Sequence, residues 1–199
     1  GVYCEIFPYD IDPKKINDFD VTGIILSGGP NSVYDEETAS APDEIFKLNV
    51  PILGICYGMQ TLVNQMGGTV ENSKKREFGY AEIRAHGHSK LLTEIQDKEN
   101  EKGHGLLDVW MSHGDKVTSL PSGFNIIASN ESTPIAGISN EKREIYGIQF
   151  HPEVTHTSQG EKIISRFVID ICRAKADWNM PDYVDTAIQN IKRMVGKDD

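Results

Sequence analysis

The sequence predicts an α/β fold with an open, mainly parallel central sheet flanked by helices, and with antiparallel additions in the second half. Two short apolar runs, residues 23–26 and 51–55, are each followed by a glycine-rich turn, which is typical of strands buried on both faces of a parallel sheet. Apolar residues at spacings of three and four over residues 160–174 predict a helix that covers this sheet. After residue 69, shorter segments separated by turn residues favour antiparallel strands.

Length and composition indicate an ordinary globular chain. Its 199 residues, 38% of them hydrophobic, suffice for one good core or for a domain with an appendage. No apolar run of about 18 residues could span a membrane and the first residues lack the features of a signal peptide, so a cytoplasmic protein is expected. A net charge of −10 repels phosphate backbones and argues against nucleic-acid binding. Small molecules and protein partners are the expected ligands.

The cysteines and histidines give no metal pattern. Cys4, Cys56 and Cys172 are widely separated without CxxC spacing, which argues against a disulfide framework and a zinc site. Cys4 and Cys172 lie in apolar stretches and are expected in the core. The polar segment 86–105 contains three histidines without a recognisable ligand spacing. We interpret it as a surface loop and expect no metal.

The chain begins with alternating strands and short helices. Residues 2–7 favour a strand, and residues 14–19 and 43–48 favour short helices. The strand over 23–26 ends in Ser27-Gly28-Gly29-Pro30, where backbone N–H groups unobstructed by side chains can bind an anion, either a phosphate or an oxyanion.

The stretch Gly54-Ile55-Cys56-Tyr57-Gly58 has the pattern of a nucleophile elbow. Glycines two residues before and after Cys56 keep side chains away from a strained turn, so that the sulfur projects from it. The helix expected over residues 59–66, ended by Gly67-Gly68, points its positive dipole end at the sulfur and favours the thiolate. Cys56 is therefore the candidate nucleophile. The alternative is a buried structural cysteine whose neighbouring glycines only permit close packing.

The second half is expected to contain short strands and two terminal helices. The strands are predicted over residues 80–85, 106–111, 124–128, 135–138 and 145–150. A hairpin at residues 140–143 joins the last two. After the helix that covers the sheet, residues 177–181 are interpreted as a linker and residues 183–195 as an amphipathic helix ending at Gly196.

His151-Pro152-Glu153 follows the last predicted strand and supplies the base that Cys56 needs. Proline forces the residue before it into an extended conformation, in which residues two apart face the same side. A carboxylate beside an imidazole fixes its tautomer and stabilises the imidazolium, as in a Ser-His-Asp triad with sulfur replacing oxygen. Cys56, His151 and Glu153 form the predicted triad. The alternative is a strand-ending turn with a solvent-exposed glutamate.

These motifs resemble those of the class I glutamine amidotransferases. Four longer stretches are similar to the amidotransferase domains of bacterial GMP synthetases: residues 24–32, 76–80, 110–117 and 146–157. The resemblance implies a flavodoxin-like fold in which Cys56 attacks the side-chain amide of glutamine, giving a thioester and ammonia, and His151 then activates water. It implies that this ammonia serves the ATP-dependent amination of XMP to GMP.

The resemblance also assigns binding residues. The backbone N–H groups of Gly29 and Tyr57 would form the oxyanion hole, and glutamine would be held by Gln60, Ser112 and Gly114. The alternative for the segment 112–115 is an ordinary turn between strands.

The resemblance further implies a longer parent protein. Residues 1–175 would be the amidotransferase domain without the first strand and helix of the family, and residues 176–199 a linker helix toward a synthetase domain outside this sequence. ATP and Mg²⁺ are expected in that domain and no cofactor in this one. The expected partners are glutamine, the synthetase domain and a second parent chain, dimerising through regions outside this sequence. ATP binding at residues 27–32 is the weaker interpretation, because Pro30 lacks a donor N–H.

Other functions stay open. They are an amidotransferase that serves another acceptor, a γ-glutamyl hydrolase, and a non-catalytic module that binds a partner protein. The stretches 110–117 and 154–157 favour the GMP type. The presence of Cys56, His151 and Glu153 argues against a non-catalytic module.

Overall fold

The computed structural model describes residues 1–16, 18–30, 32–34 and 38–195. Within them, one eight-stranded sheet has the order β1-β2-β8-β7-β6-β3-β5-β4. The strands are β1 (Ile24–Leu26), β2 (Ile52–Ile55), β3 (Thr69–Ala85), β4 (Lys98–Glu99), β5 (Gly105–Ser119), β6 (Asn125–Ser129), β7 (Gly137–Asn140) and β8 (Ile145–Ile148). The helices are α1 (Pro13–Ile16), α2 (Tyr57–Gln65), α3 (Gly160–Ser165) and α4 (Met180–Val195), with a 3₁₀-helix at Asp43–Lys47 and a π-helix at Arg166–Ile171.

The parallel part of the sheet consists of β1, β2 and β8. The apolar runs predict β1 and β2, whereas β8 lies in a segment expected to be antiparallel and pairs in parallel with β2. β2 pairs in parallel with both neighbours, and all of its residues are buried. β1 differs from the expectation of two buried faces, since Ile25 is 43% exposed. This strand lies at the edge of the sheet. The carboxyl ends of the three strands meet at one edge, which is where α/β proteins bind their ligands.

The remaining strand pairs are antiparallel, which confirms the predicted change of pattern after residue 69 for every strand except β8, whose pairing with β2 is parallel. β3 and β5 are far longer than expected and pair from Thr69 opposite Ser119 to Arg84 opposite Leu106, with an irregularity between Asn72 and Glu77. The sequence conceals this extension because its residues are largely polar, and a backbone ladder does not require apolar side chains.

Two helical segments cover opposite faces of the sheet. Met59, Leu62 and Val63 of α2 pack in one core with Ile52, whereas Leu53 contributes to the other, as alternation along a strand requires. The predicted helix over residues 160–174 is present as α3 and the π-helix. Its predicted apolar face is buried in the second core through Ile163, Phe167 and Ile171.

Sequence predictions for the segments 2–7 and 86–105 are wrong. Residues 2–7 form no strand and are largely exposed, with Cys4 exposed rather than in the core, because alternation alone does not supply a hydrogen-bonding neighbour. The segment 86–105 is more than a surface loop, since it contributes β4 and buries Leu91, Leu92 and Ile95. These apolar residues follow no regular period, so the pattern did not reveal their burial.

The other helical predictions agree with the structure within a few residues. The expected helices over residues 14–19 and 43–48 correspond to α1 and the 3₁₀-helix. The last helix, α4, starts at Met180 instead of residue 183, and its predicted stop at Gly196 lies outside the described residues. No described helix combines the length and apolar character needed to cross a membrane.

Candidate active site

Cys56 occupies a strained turn between β2 and α2. Its φ of 51° and ψ of −109° lie in a region that residues with a side chain rarely adopt. Neighbouring glycines make the turn possible by close packing. A Cβ on Gly58 would lie 2.0 Å from the carbonyl oxygen of Leu26, and a Cβ on Gly54 would lie 2.7 Å from that of Gly58. The predicted strand–turn–helix geometry is therefore present, with the helix beginning directly after Cys56.

His151 and Glu153 lie beside this turn. Nδ1 of His151 is 2.7 Å from Oε1 of Glu153, so the carboxylate accepts the Nδ1–H hydrogen bond. A Cβ on Gly28 would lie 3.3 Å from Cε1 of His151 and 3.6 Å from Cβ of Cys56, which makes the imidazole and the thiol neighbours. The structure thus brings together the three residues of the predicted triad.

The surroundings of His151 favour its charged form. Interaction with the neighbouring Cys56 side chain, and then the hydrogen bond to the Glu153 carboxylate, raise the pKa of His151 to about 10 despite partial burial. The pKa of Glu153 is lowered in return, although its burial acts in the opposite direction. At neutral pH this geometry therefore supports an imidazolium beside the sulfur.

We expect His151 to titrate near pH 10 in an NMR titration of the imidazole Cε1–H resonances, and His86 and His113 to titrate below pH 6.5, because burial lowers the pKa of both. The stabilisation associated with His151 is then complete below its unfolded pKa of about 6.5 and is lost as the pH rises through about 10. Glu153→Gln should lower the pKa of His151. A His151 resonance that titrates near pH 6.5 in the unaltered protein would contradict this prediction.

The sulfur of Cys56 has two further polar neighbours. Its thiol donates to the backbone carbonyl of Ser112 at 3.5 Å, and Nε2 of Gln149 donates to the sulfur at 3.7 Å. Gln149 is fully buried, and its Oε1 accepts a hydrogen bond from Nε2 of Gln60 at 3.2 Å. No sequence motif had assigned a role to Gln149. A polar residue two positions before His151, in an otherwise apolar strand, was the available signal.

A cavity of about 560 Å³ opens at this edge of the sheet. It is lined by Cys56 and His151 and by all five residues to which the resemblance assigns binding roles: Gly29, Tyr57, Gln60, Ser112 and Gly114. The cavity is also lined by residues to which the sequence motifs assigned no catalytic or binding role: Ser32, Asn72, Arg76, Phe78, His113 and Asp115.

The segment 112–115 is part of β5, so the alternative of an ordinary turn is wrong. Its pairing with β3 brings Arg76 close, such that a Cβ on Gly114 would lie 3.6 Å from Nε of Arg76. Asp115 is buried, and its carboxylate accepts hydrogen bonds from Asn72 at 3.0 Å and from the Ser32 hydroxyl. The cavity wall opposite α2 is therefore polar and carries both signs of charge.

A closed ring of three hydrogen bonds holds the backbone of His151. Its N–H donates to the carbonyl of Trp110 at 3.0 Å, and its carbonyl accepts from the hydroxyl of Thr157 at 2.6 Å. The N–H of Trp110 donates to that same hydroxyl at 3.0 Å. Next to these hydrogen bonds, the aromatic side chains of Tyr80 and His156 pack against the indole of Trp110, with ring-centroid distances of 5.3 and 4.6 Å. We call Tyr80, Trp110 and His156 the aromatic patch.

Fold and site together define an α/β protein with a cysteine, a histidine and a carboxylate at the carboxyl edge of a parallel sheet, the arrangement of an acyl-transfer enzyme. The family model of class I glutamine amidotransferases matches residues 1–171. The chain belongs to this family. The flavodoxin-like fold expected from the resemblance is thereby confirmed.

Two relatives with similar sequences are longer than this chain. It is 64% identical over 199 residues to a glutamine-hydrolysing GMP synthase of Methylobacillus flagellatus and 62% identical to that of Thiobacillus denitrificans. In each case the match covers 100% of this chain and 38% of the relative.

Solved structures agree with the family. A protein of Thermoplasma acidophilum, described as one of the subunits of a GMP synthase, superposes with a TM-score of 0.71 at 30% identity, covering 85% of this chain and 80% of that one. A glutamine amidotransferase of Thermotoga maritima gives a TM-score of 0.57 at 26% identity, covering 75% of this chain and 63% of that one.

Proposed function

We propose that this chain is the glutamine-hydrolysing part of a GMP synthase, and that it supplies ammonia for the ATP-dependent amination of XMP to GMP. The observation that carries the proposal is the placement of Cys56 and His151 in one cavity, with Glu153 hydrogen-bonded to His151. All 199 residues of this chain align with part of a GMP synthase at 64% identity. The family membership supports glutamine as the substrate of this part.

The cavity suits a free amino acid. Among its described lining residues, Arg76 is cationic and Asp115 is anionic, which provides groups of both signs for a zwitterionic substrate. The side-chain NH₂ group of Gln60 donates two hydrogen bonds within the protein, one to the backbone carbonyl of Asp115 and one to Oε1 of Gln149. Its Oε1 is therefore the atom that can accept a hydrogen bond from glutamine. Ser112 and Gly114 complete the glutamine-binding residues in this proposal.

Hydrolysis would take two steps. The thiolate of Cys56 attacks the carboxamide carbon of glutamine, the C–N bond breaks, and His151 gives its proton to the departing ammonia. His151 then removes a proton from water, which attacks the thioester, and glutamate leaves as the thiol reforms. Glu153 orients the imidazole throughout. Backbone N–H groups of Gly29 and Tyr57 would stabilise the oxyanion, and one such donor lowers a barrier by ~2.7–4 kcal/mol.

The proposal extends to the parent protein. In this proposal, residues 1–175 form the amidotransferase domain, and residues 176–199, which include α4, form the linker toward a synthetase domain of the same parent that binds ATP and Mg²⁺. No cofactor is assigned to this chain. Dimerisation through regions outside it, and a cytoplasmic location where ATP and XMP are available, belong to the same proposal.

A product assay on the full-length parent tests this function. We expect glutamate release from glutamine and formation of GMP from XMP and ATP, with either glutamine or ammonia as nitrogen source. Glutamate release without GMP formation would favour a γ-glutamyl hydrolase or an amidotransferase for another acceptor. Absence of glutamate release under all conditions would favour a non-catalytic binding module.

A further inference from the structure

We propose that Gln149 is a positioning residue for Cys56, whose side-chain amide holds the sulfur in place and stabilises it as a thiolate. The inference rests on the proposed function, because it deepens the role given there to Cys56. Gln149 directly follows β8 and is fully buried. Its backbone N–H donates to the carbonyl of Ala136 at 2.9 Å, so its main chain is fixed to the neighbouring strand region.

The neighbours of Gln149 determine which way its amide points. The backbone carbonyl of Asp115 can only accept a hydrogen bond, so the Gln60 atom 3.0 Å from it is the NH₂ group. That NH₂ group is 3.2 Å from Gln149, which must present its oxygen. The NH₂ group of Gln149 therefore faces the sulfur of Cys56, at 3.7 Å. The donors run in one direction from Gln60 through Gln149 to Cys56, and such chains polarise one another.

Loss of the Cys56 proton changes the balance of contacts at the sulfur. The hydrogen bond from the thiol to the Ser112 carbonyl, 3.5 Å long, disappears because a thiolate has no proton to donate. The hydrogen bond from Gln149 remains and becomes charge-assisted, which strengthens it. Full burial of Gln149 excludes competing water. Gln149 thus favours the nucleophilic form of Cys56.

Gln149→Glu tests the proposal in the full-length parent. The change is nearly isosteric and retains an oxygen that accepts from Gln60, but it replaces the donor beside the sulfur with a carboxylate oxygen. Alkylation of Cys56 by iodoacetamide, followed by mass spectrometry of its peptide, measures the thiolate directly. We expect the rate at neutral pH to fall about tenfold to a hundredfold, with the pH profile displaced to higher pH, because hydrogen bonds to charged groups have this strength. The kcat for glutamine should fall similarly, with a smaller change in KM.

Gln96→Glu is the matched control, since it makes the same chemical change at an exposed glutamine that contacts Glu99. It should leave the alkylation profile and kcat unchanged. Ammonia-dependent GMP formation and circular dichroism report whether each variant is folded. If Gln149→Glu does not fold, Gln149→Met removes the donor without adding charge and should shift the profile in the same direction by less.

An unchanged alkylation profile in a folded Gln149→Glu or Gln149→Met parent overturns the proposal. Alkylation requires no substrate, so it remains informative if the parent proves unable to hydrolyse glutamine. In that case the proposed function is wrong, while the alkylation rates still decide whether Gln149 stabilises the thiolate. A loss of kcat without any change in the alkylation profile would indicate a purely structural role for Gln149.

Discussion

Replacing Cys56 by alanine is expected to abolish glutamine hydrolysis by the full-length parent while leaving ammonia-dependent GMP formation intact. The change removes the only atom that can form the thioester in the proposed mechanism, and loss of a catalytic nucleophile elsewhere costs on the order of 10⁶-fold in kcat. Alanine keeps the Cβ of cysteine, so the strained turn at φ 51° is retained. Synthesis from added ammonia needs no thioester. Glutamate release and GMP formation are measured in parallel.

Cys4→Ala supplies the matched control, because Cys4 is a free, exposed cysteine outside the cavity. It should leave both activities unchanged. If Cys56→Ala released glutamate at the rate of the unaltered parent, Cys56 would not be the nucleophile. If ammonia-dependent synthesis were lost as well, the substitution would have disturbed the whole protein, and a Cys56→Ser parent would have to separate the two effects.

The second large effect is expected in the coupling of glutamine hydrolysis to the proposed synthetase domain. We expect slow glutamine hydrolysis by the parent alone and an increase in kcat of about a hundredfold when XMP and ATP are added, because a misplacement of about 1 Å at a reacting group can cost that much. The aromatic patch offers a route. Tyr80 is 71% exposed and packs against Trp110, whose backbone is bonded to His151. A domain that docks there and binds more tightly when the triad is aligned than when it is misaligned would favour the aligned state.

The measurement is kcat and KM for glutamine, with and without XMP plus ATP. A rise mainly in kcat would locate the effect in triad alignment rather than in glutamine binding. Tyr80→Ala should reduce the increase, whereas Tyr9→Ala, at an exposed tyrosine outside the aromatic patch, should not. Equal constants under both conditions would mean that the triad is permanently aligned and that no such coupling exists.

The geometry of the site could be predicted because it depends on short spacings. A cysteine between two glycines after an apolar run, and a histidine and a glutamate separated by proline, each specify a local geometry that few other arrangements provide. The structure places Cys56, His151 and Glu153 as these motifs require. The parallel strands β1 and β2 could be predicted as well, because strands buried in a parallel sheet are typically continuous apolar runs.

Features that depend on distant partners could not be predicted in the same way. The full length of β3 and β5 arises from their mutual pairing, which leaves no period in either segment. Leu91 is buried because the fold brings a core surface to it, in a segment whose composition is polar. The hydrogen bond from Gln149 to Cys56 joins residues 93 positions apart, and no spacing rule links them.

The ring of hydrogen bonds around His151 has an evolutionary consequence. Between Trp110 and His151 it uses main-chain atoms alone, and its single side-chain group is the hydroxyl of Thr157. Every residue except proline, which lacks the backbone N–H, is therefore compatible with the ring at position 110, whereas position 157 requires a side-chain hydroxyl group. Substitutions at the surface that we propose for docking are thus compatible with unchanged hydrogen bonds to the backbone of His151.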